Sequence, residues 1–419
     1  MTRAFQISIG RVSFKLGLFD QFLVSGANFA TTVILARRLG PEEFGKFSLA
    51  WITLLFLASM QLSLVLQPMM SSGPRLFKSE PGYFGAVIWH QSLLSFVSAI
   101  LCFFGALTVD AFDEARNIAV LATPLAALIF AAQWHEFIRR YFYTSGNPAY
   151  ALGIDVVTCV SRIGLLLFLM YGDFSTTGNA LFIVAASFLL SSLLGSLGIP
   201  WNQCAAAPIA RVAAYHWNIS KWLAATSVLQ WVIGNIFVIS TAAYLGVASA
   251  GALRAIQNMI GVFNMVFVAL ENTIPVGAAR MPAGGSHGSI VRYILHSSKS
   301  GVAVLVAGSI WFIAFPGWII NFIYGAKYAQ YGWVLPGLTI IALLTFASVL
   351  FRIFFRVIEN TKPIFLSYLA GGIASMLCAP ALISIFELKG ALLAMALVYI
   401  AILTAYALFF RDGSKQLVA

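Results

Sequence analysis

Long apolar stretches separated by short polar connections run along the whole chain. A helix that crosses a bilayer needs roughly 20 mostly apolar residues. About twelve stretches of this kind are present, six in each half of the sequence, and the pattern therefore predicts an all-α polytopic membrane protein. Their expected limits are 16–36, 44–70, 83–109, 118–143, 149–171, 179–200, 219–245, 248–275, 291–322, 331–358, 364–386 and 390–410.

The connection between the first two predicted helices has strong turn chemistry. In LARRLGPEEFGKFSLA, residues 35–50, Gly40 suits the backbone that closes a helix, and Pro41 suits the first turn of the next one. Glu42 and Glu43 follow, where the positive end of that helix favours carboxylates. We interpret LGPEEFG as a structural turn between two helices rather than as a binding motif.

The spacing of two glycines in this segment recurs in the second half of the chain. In LGVASAGALRAI, Gly246 and Gly251 repeat, 206 residues later, the spacing of Gly40 and Gly45. Self-similarity of this kind indicates a repeated architecture. We therefore predict an N-terminal six-helix bundle over 1–205 and a C-terminal six-helix bundle over 206–419.

Composition agrees with a membrane protein and excludes other classes. Of the 419 residues 60% are hydrophobic and only 9% are charged, and the mean hydropathy is +0.90. The net charge of +11 does not indicate nucleic-acid binding, because the cations fall between apolar runs and form no basic block. Seventeen Lys and Arg residues lie on the side of the N-terminus and six on the other, so both termini are expected to be cytoplasmic. Two halves that each begin and end inside are parallel repeats.

A polar stripe runs along the first predicted helix. Gln21, Ser25, Asn28 and Thr32 recur at steps of four, three and four, and Asp20 lies beside them. Polar side chains within a span are costly, so such a face lines water or protein rather than lipid. Two interpretations stay open, a water-filled cavity and hydrogen bonds to neighbouring helices worth about 0.6 kcal/mol each.

The seventh and eighth predicted helices carry similar faces. Inserting an arginine near the middle of a span costs about 2.5–3.5 kcal/mol of free energy. For Arg254 we favour a functional role, because its planar guanidinium can bind two oxygens of a phosphate.

Trp231 suits either stacking on a sugar ring or the interfacial belt, and the same holds for Trp51. The polar face of the seventh and eighth helices includes Gln230, Trp231, Arg254, Gln257, Asn258 and Glu271.

Further charged residues lie within or near the spans. Asp155 and Arg162 share one face of the fifth helix, where a structural network and a site are both open interpretations. Asp20 and Glu271 lie near cytoplasmic ends and are either exposed carboxylates or carriers of a coupling proton. Four arginines at the cytoplasmic ends of the fourth and tenth spans are expected to anchor anionic headgroups; they are Arg139, Arg140, Arg352 and Arg356.

The segment ARRLGPEEFGKFSLA, placed between a polar-striped helix and a long apolar helix, carries a family resemblance. It resembles the start of bacterial polysaccharide exporters, the O-antigen and exopolysaccharide flippases of the multidrug/oligosaccharidyl-lipid/polysaccharide (MOP) superfamily. The plan of twelve spans in two halves extends the resemblance over nearly the whole chain. The second copy, LGVASAG, lacks the proline and both acids.

The resemblance implies a flippase, not an enzyme, in the bacterial inner membrane. Such a protein moves an undecaprenyl-pyrophosphate-linked oligosaccharide repeat unit between leaflets by alternating access, for surface polysaccharide synthesis, with two bundles around a central cavity. Its expected partners are this lipid-linked oligosaccharide, anionic lipids on the cytoplasmic side, and the polysaccharide polymerase and chain-length machinery. No cofactor or metal is expected beyond a coupling ion, H⁺ or Na⁺, if transport is coupled.

The resemblance also suggests roles for the polar residues found above. Arg254, helped by Arg162, would meet the pyrophosphate. Asp20, Asp155 and Glu271 are candidate carriers of the coupling ion. The sugars would be met by Gln21, Asn28, Trp231, Gln257 and Asn258.

Three other classes remain as alternatives. A multidrug/cation antiporter of the same superfamily shares the fold, but a cationic cargo favours a cavity dominated by carboxylates, whereas here an arginine is present. A major-facilitator transporter also has twelve spans, but its signature after the second span is absent here. A membrane polysaccharide polymerase or acyltransferase generally needs a sizeable outer loop or an in-membrane histidine, and no outer connection predicted here exceeds about a dozen residues. The sequence also offers no nucleophile–base pair, phosphate loop or metal site to support catalysis.

Overall fold

The computed structural model is almost entirely helical over the residues that it describes, which are 3–79, 82–112, 119–169, 176–204, 208–278, 287–358, 360 and 362–415. A π-helical turn, Leu62–Leu66, joins the first two helices. The helices are α1 (Arg3–Gln61), α2 (Gln67–Ser79), α3 (Tyr83–Phe112), α4 (Ala122–Thr144), α5 (Pro148–Leu169), α6 (Thr177–Ser196), α7 (Ile209–Leu245), α8 (Val247–Ile260), α9 (Val262–Ala278), α10 (His287–Ser297), α11 (Lys299–Ala314), α12 (Pro316–Tyr324), α13 (Val334–Val357) and α14 (Lys362–Lys415).

The number of spans agrees with the prediction of about twelve. Eight helices are long and apolar enough to cross a membrane, and two bent helix pairs also qualify. Two of the eight, Phe19–Gly73 and Lys362–Arg411, each contain a residue with non-helical backbone angles and so provide two spans each. Within the described residues this gives twelve spans, and the all-α polytopic fold is confirmed.

The break in α1 lies at the predicted turn. Gly40 has φ 75° and ψ 175°, and Pro41 lies in the first turn that follows. A side chain is strained at this φ, which explains glycine here. Lys46 contacts Glu43 at 2.6 Å and Glu42 at 3.8 Å in the first turns of the new helix. The repeated Gly246 has nearly the same backbone, φ 84° and ψ 167°, and separates α7 from α8.

Two predicted spans are bent in the structure. The eighth, expected as one helix, divides into α8 and α9, which meet at 46° around Gly261. The ninth divides into α10 and α11, which meet at 50°. Periodicity of apolar residues does not reveal such bends, because each piece keeps the same helical period.

Outward apolar side chains agree with a lipid environment. Phe168 is 76% exposed and Leu377 is 68% exposed, and many other large apolar residues along the spans are similarly open. Soluble proteins rarely expose apolar patches of this extent. The chain is therefore a multi-pass membrane protein.

The chain forms two compact units, one of 1–39 with 49–228 and the other of 40–48 with 229–419. The expected division into bundles at residue 205 stays a prediction. The first unit has a core to which α3 and α4 contribute most, and its largest fully buried side chains are Ile52, Leu66, Met69, Tyr83, Leu128, Ile129, Phe137 and Ile138.

The first half of α7 is hydrogen-bonded to the rest of the first unit. Ser227 Oγ lies 2.7 Å from Ser63 Oγ, and His216 Nε2 lies 3.0 Å from the Tyr83 hydroxyl. Burial and the neighbouring His90 lower the pKa of His216 to about 4, so its imidazole is neutral at pH 7. Polar contacts therefore hold this segment of α7 on the first unit.

Within the second unit the two copies of the turn motif pack against each other reciprocally. A Cβ on Gly45 would lie 2.0 Å from the carbonyl oxygen of Val247. A Cβ on Gly251 would lie 2.2 Å from the carbonyl oxygen of Pro41. Since Gly251 corresponds to Gly45, and Val247 to Pro41, each copy places its glycine on the helix start of the other. The two copies of the sequence motif therefore make equivalent contacts with each other. Glycine is required at both positions because its main chain lies so close to that of the other copy that a side chain would not fit.

We expect Gly251→Ala to destabilise the protein by about 1–3 kcal/mol, because the new methyl group would meet main-chain atoms that cannot turn away. Gly234→Ala is the matched control, since Gly234 is also helical and a Cβ added there would have nothing within 4 Å. Alanine is preferred to glycine in a helix by about 1 kcal/mol, so the control should be neutral or stabilising. Denaturation in detergent micelles measures both, and equal stability of the two variants would contradict the packing described.

Candidate functional site

A buried ionic cluster lies inside the first unit, where α1, α4 and α5 meet. Arg139 on α4 is at its centre and donates from Nη2 to Asp20 at 2.9 Å and from Nε to Asp155 at 2.6 Å. The side chains of both aspartates are 1% exposed. Arg139 also contacts Glu136 at 3.1 Å, and the Tyr143 hydroxyl donates to Asp20 at 2.6 Å. Three carboxylates, two of them almost fully buried, therefore surround one arginine.

A histidine and a threonine extend this cluster toward α5. His135 Nε2 lies 3.3 Å from Asp155 Oδ1 and 2.9 Å from the Thr158 hydroxyl. Asp20 Oδ1, by contrast, is buried without a hydrogen-bond partner among the described residues. Burial of a carboxylate oxygen without a hydrogen-bond donor favours protonation of the carboxyl group.

The expectation that Arg139 anchors lipid headgroups is wrong. Its side chain is only 12% exposed and is bound by acids from three helical segments. The position at the end of an apolar stretch suggested the interface, but acids from α1 and α5 draw the guanidinium inward. Arg352 behaves similarly in the second unit, because its side chain is 19% exposed and pairs with Glu271.

Arg162 and Asn28, both expected to bind substrate, lie together in the first unit. Arg162 on α5 is 3% exposed and donates from Nη1 to Asn28 Oδ1 on α1 at 2.9 Å. Its guanidinium lies over the ring of Phe188, 4.4 Å from the centroid, and Nε lies 3.4 Å from Ser187 Oγ. Arg162 thus has neutral partners, in contrast to Arg139.

A cavity of about 370 Å³ lies beside these residues, wholly within the first unit. Its volume is at the low end of the ~300–1,000 Å³ usual for small-molecule sites. Of the expected site residues it brings together Asn28, Asp155 and Arg162. The other polar or aromatic lining residues are Trp51, Ser59, Gln61, Gln133, His135, Glu136, Arg139, Thr158 and Phe188.

Gln61 and Gln133 were missed in the sequence, although a signal existed. Each is an amide within a predicted span, and both are buried, to 0% and 1% exposure. Intramembrane polar residues are functional-site candidates by default. Gln133 precedes Glu136 and Arg140 by three and seven positions, the spacing of one helical face, and this was the signal that could have indicated it.

Gln21 lies on α1 but is not among the residues that line this cavity. Its side chain is exposed, and Nε2 donates to Ser25 Oγ at 3.2 Å. Asp20 is next to it in sequence but points into the ionic cluster, as its bonds to Arg139 and Tyr143 show. Asp20, beside the stripe, is therefore buried, whereas Gln21 and Asn28 within the stripe are exposed.

The second unit holds the remaining expected site residues. The Glu271 side chain on α9 is only 16% exposed. It forms an ion pair with Arg352, and Arg356 Nη1 lies 3.5 Å from its Oε2. Arg352 also contacts the Tyr368 hydroxyl. Trp231 on α7 is half-buried, as are Gln257 and Asn258 on α8.

Arg254 on α8 differs from every other arginine described above. It is half-buried, and within the part of the chain that the structure describes it forms no hydrogen bond or ion pair. An unpaired guanidinium in a membrane span is costly, and its five N–H donors remain available for an anion. Such a group suits a phosphate better than a packing role.

No protein-family model and no curated protein sequence matches the chain. Solved structures do match along nearly its whole length. A lipid II flippase, MurJ, in an inward closed conformation matches with a TM-score of 0.72 at 13% identity, over 96% of this chain and 87% of that one. An inward-facing multidrug resistance MATE family transporter of the MOP superfamily matches with a TM-score of 0.65 at 14% identity, over 93% of each chain.

A third match is a MOP superfamily transporter from Pyrococcus furiosus, with a TM-score of 0.61 at 15% identity, over 98% of this chain and 95% of that one. These three solved proteins are a flippase and two transporters rather than enzymes. At these identities the likeness concerns architecture. The chain shares its fold with these three solved membrane proteins.

Proposed function

We propose that the protein is a flippase that moves an undecaprenyl-pyrophosphate-linked oligosaccharide across the bacterial inner membrane by alternating access. Arg254 carries the proposal, because a half-buried arginine that lies within a span and has no partner among the described residues suits a pyrophosphate group. The fold supports it, since a lipid II flippase shares it over 96% of this chain. The resemblance of the segment that starts at Ala36 to polysaccharide exporters points to a glycan cargo.

The proposed mechanism assigns each polar group a task. Arg254, with Arg162, would neutralise the pyrophosphate while the headgroup crosses the apolar layer. Hydrogen bonds to the sugars would come from Gln21, Asn28, Trp231, Gln257 and Asn258. Both termini would be cytoplasmic, as the distribution of positive charge predicts.

Coupling to H⁺ or Na⁺ is part of the proposal. Asp20 is the strongest carrier, because its Oδ1 is buried without a partner among the described residues while Oδ2 is held by Arg139 and Tyr143. Asp155 is held by both Arg139 and His135, and Glu271 by Arg352, so each would exchange its partner when an ion binds. Polymerase and chain-length proteins would receive the cargo on the outer side.

Export of cationic drugs is the second candidate, because a multidrug transporter shares the fold with a TM-score of 0.65. The charges of the first unit oppose it. Glu136 and Asp155 line the cavity together with Arg139 and Arg162, so the lining has no excess of negative charge. A cationic cargo is better served by unpaired carboxylates.

Deletion of the gene tests the proposed cargo. We expect a lipid-linked glycan to accumulate in the inner leaflet and surface polysaccharide to fall, with both effects reversed by the wild-type gene. Resistance to cationic drugs should not change. Unchanged surface polysaccharide together with increased drug sensitivity would instead favour the second candidate.

A further inference from the structure

Three glutamines from different helices meet in the core of the first unit. Gln61 ends α1, Gln91 lies on α3 and Gln133 lies on α4, and all three are at most 1% exposed. Gln61 Nε2 donates to Gln91 Oε1 at 3.1 Å and to the main-chain oxygen of Gln133 at 2.6 Å. Buried amides in an apolar bundle are costly unless their hydrogen-bonding groups are satisfied.

Two oxygens of this cluster are not satisfied. The orientation of the Gln61 amide is determined by its two carbonyl acceptors, so its Oε1 lies on the opposite side, and it has no donor among the described residues. Gln133 Oε1 is likewise buried without a donor, while Nε2 faces Leu57 O at 3.5 Å and Ser98 Oγ at 3.4 Å. A buried acceptor without a donor costs about 1–3 kcal/mol, so two such groups call for a partner.

Both glutamines line the cavity of the first unit. Its two carboxylates, Glu136 and Asp155, are matched by two arginines, so the lining favours neither a cation nor an anion. Gln61 Oε1 and Gln133 Oε1 are hydrogen-bond acceptors without donors among the described residues, and the charges around them balance. A neutral molecule with several hydroxyl or N–H donors therefore suits this site best. Trp51, which also lines the cavity, offers an aromatic surface for the C–H face of a ring.

We propose that this cavity binds a sugar of the cargo, with hydroxyl or N–H groups donating to Gln61 Oε1 and Gln133 Oε1. The proposal rests on the flippase function, since it assigns these two glutamines to the glycan and leaves the pyrophosphate to Arg254 and Arg162. The cavity volume of about 370 Å³ suits a small part of an oligosaccharide rather than the whole. Neither glutamine was among the residues expected to contact sugar.

The test compares two lipids that differ only in the sugar. Affinities for undecaprenyl pyrophosphate and for undecaprenyl pyrophosphate linked to N-acetylglucosamine are measured on the purified full-length protein in nanodiscs. Wild-type protein should bind the glycosylated lipid at least 5-fold more tightly. Gln61→Met and Gln133→Met, which keep the side-chain length but remove the oxygen, should each reduce this preference to below 2-fold without changing the affinity for the unglycosylated lipid.

Gln67→Met is the control, because Gln67 is an exposed glutamine that does not line the cavity. It should retain the preference for the sugar, and melting temperatures of all variants show whether they fold. If one cavity variant fails to fold, the other tests the same subsite.

The outcomes separate the subsite from the flippase function. If wild-type protein binds both lipids equally, or if Gln67→Met loses the preference as fully as the cavity variants do, the subsite is overturned and the flippase proposal stands. If wild-type protein binds neither lipid, both proposals fail.

Discussion

Replacement of Arg139 by methionine is expected to destabilise the protein by about 3–5 kcal/mol, because it leaves buried carboxylates without a counter-charge. Asp20 and Asp155 are each 1% exposed and both bind this one guanidinium. Methionine fills similar space, so the loss would come from charge rather than from a cavity. Chemical denaturation in mixed micelles measures the free energy of unfolding.

Arg140 provides the matched control for this prediction. It is adjacent in sequence, but its side chain is 33% exposed and its acid partner is Glu136 at 2.6 Å. Exposed pairs of this kind contribute about 0–1 kcal/mol, so Arg140→Met should have little effect. Asp20→Asn in the Arg139→Met background should recover part of the loss, since it removes one uncompensated charge. Equal costs for Arg139→Met and Arg140→Met would show that the buried cluster does not stabilise the fold as described.

Arg254→Ala should reduce lipid translocation by about 10- to 100-fold without lowering stability. A hydrogen bond to a charged group contributes about 1.5–3 kcal/mol, and each 1.4 kcal/mol corresponds to a factor of ten. Because Arg254 has no partner among the described residues, its removal breaks no ion pair there and relieves an unpaired charge. Translocation in proteoliposomes and the free energy of unfolding are measured on the same preparation.

Arg254→Lys separates charge from geometry. Lysine keeps the positive charge but lacks the planar fork, so translocation should fall less than in the alanine variant. A structural role for Arg254 would lower stability in both variants together with activity. Full translocation by the alanine variant would remove Arg254 from the mechanism.

Much of the fold was predictable because it depends on local chemistry. Apolar stretches of membrane length determine the twelve spans, and the Gly40–Pro41 pair determines where the first helix breaks. The repeat of Gly40 and Gly45 at Gly246 and Gly251 also had a local signature. What the spacing did not show is that the two copies pack against each other, since contact between segments 206 residues apart is a tertiary property.

The candidate site was less predictable for the same reason. A helical stripe shows which face of a helix is polar, but not which residue of another helix meets it. Asn28 and Arg162 were found separately, and only the structure shows that they are bonded across 134 positions. Arg139 was placed at the membrane surface because its acid partners lie 119 and 16 residues away.

Transbilayer movement of a lipid-linked glycan by the purified protein tests the central claim most directly. Proteoliposomes are loaded with undecaprenyl-pyrophosphate-linked glycan isolated from the deletion strain, and the glycan that becomes accessible to an added glycosidase is followed over time. We predict that wild-type protein exposes the inner pool and that protein-free vesicles do not. A pool that stays protected in the presence of folded wild-type protein would contradict the flippase function and leave the transporter fold without this cargo.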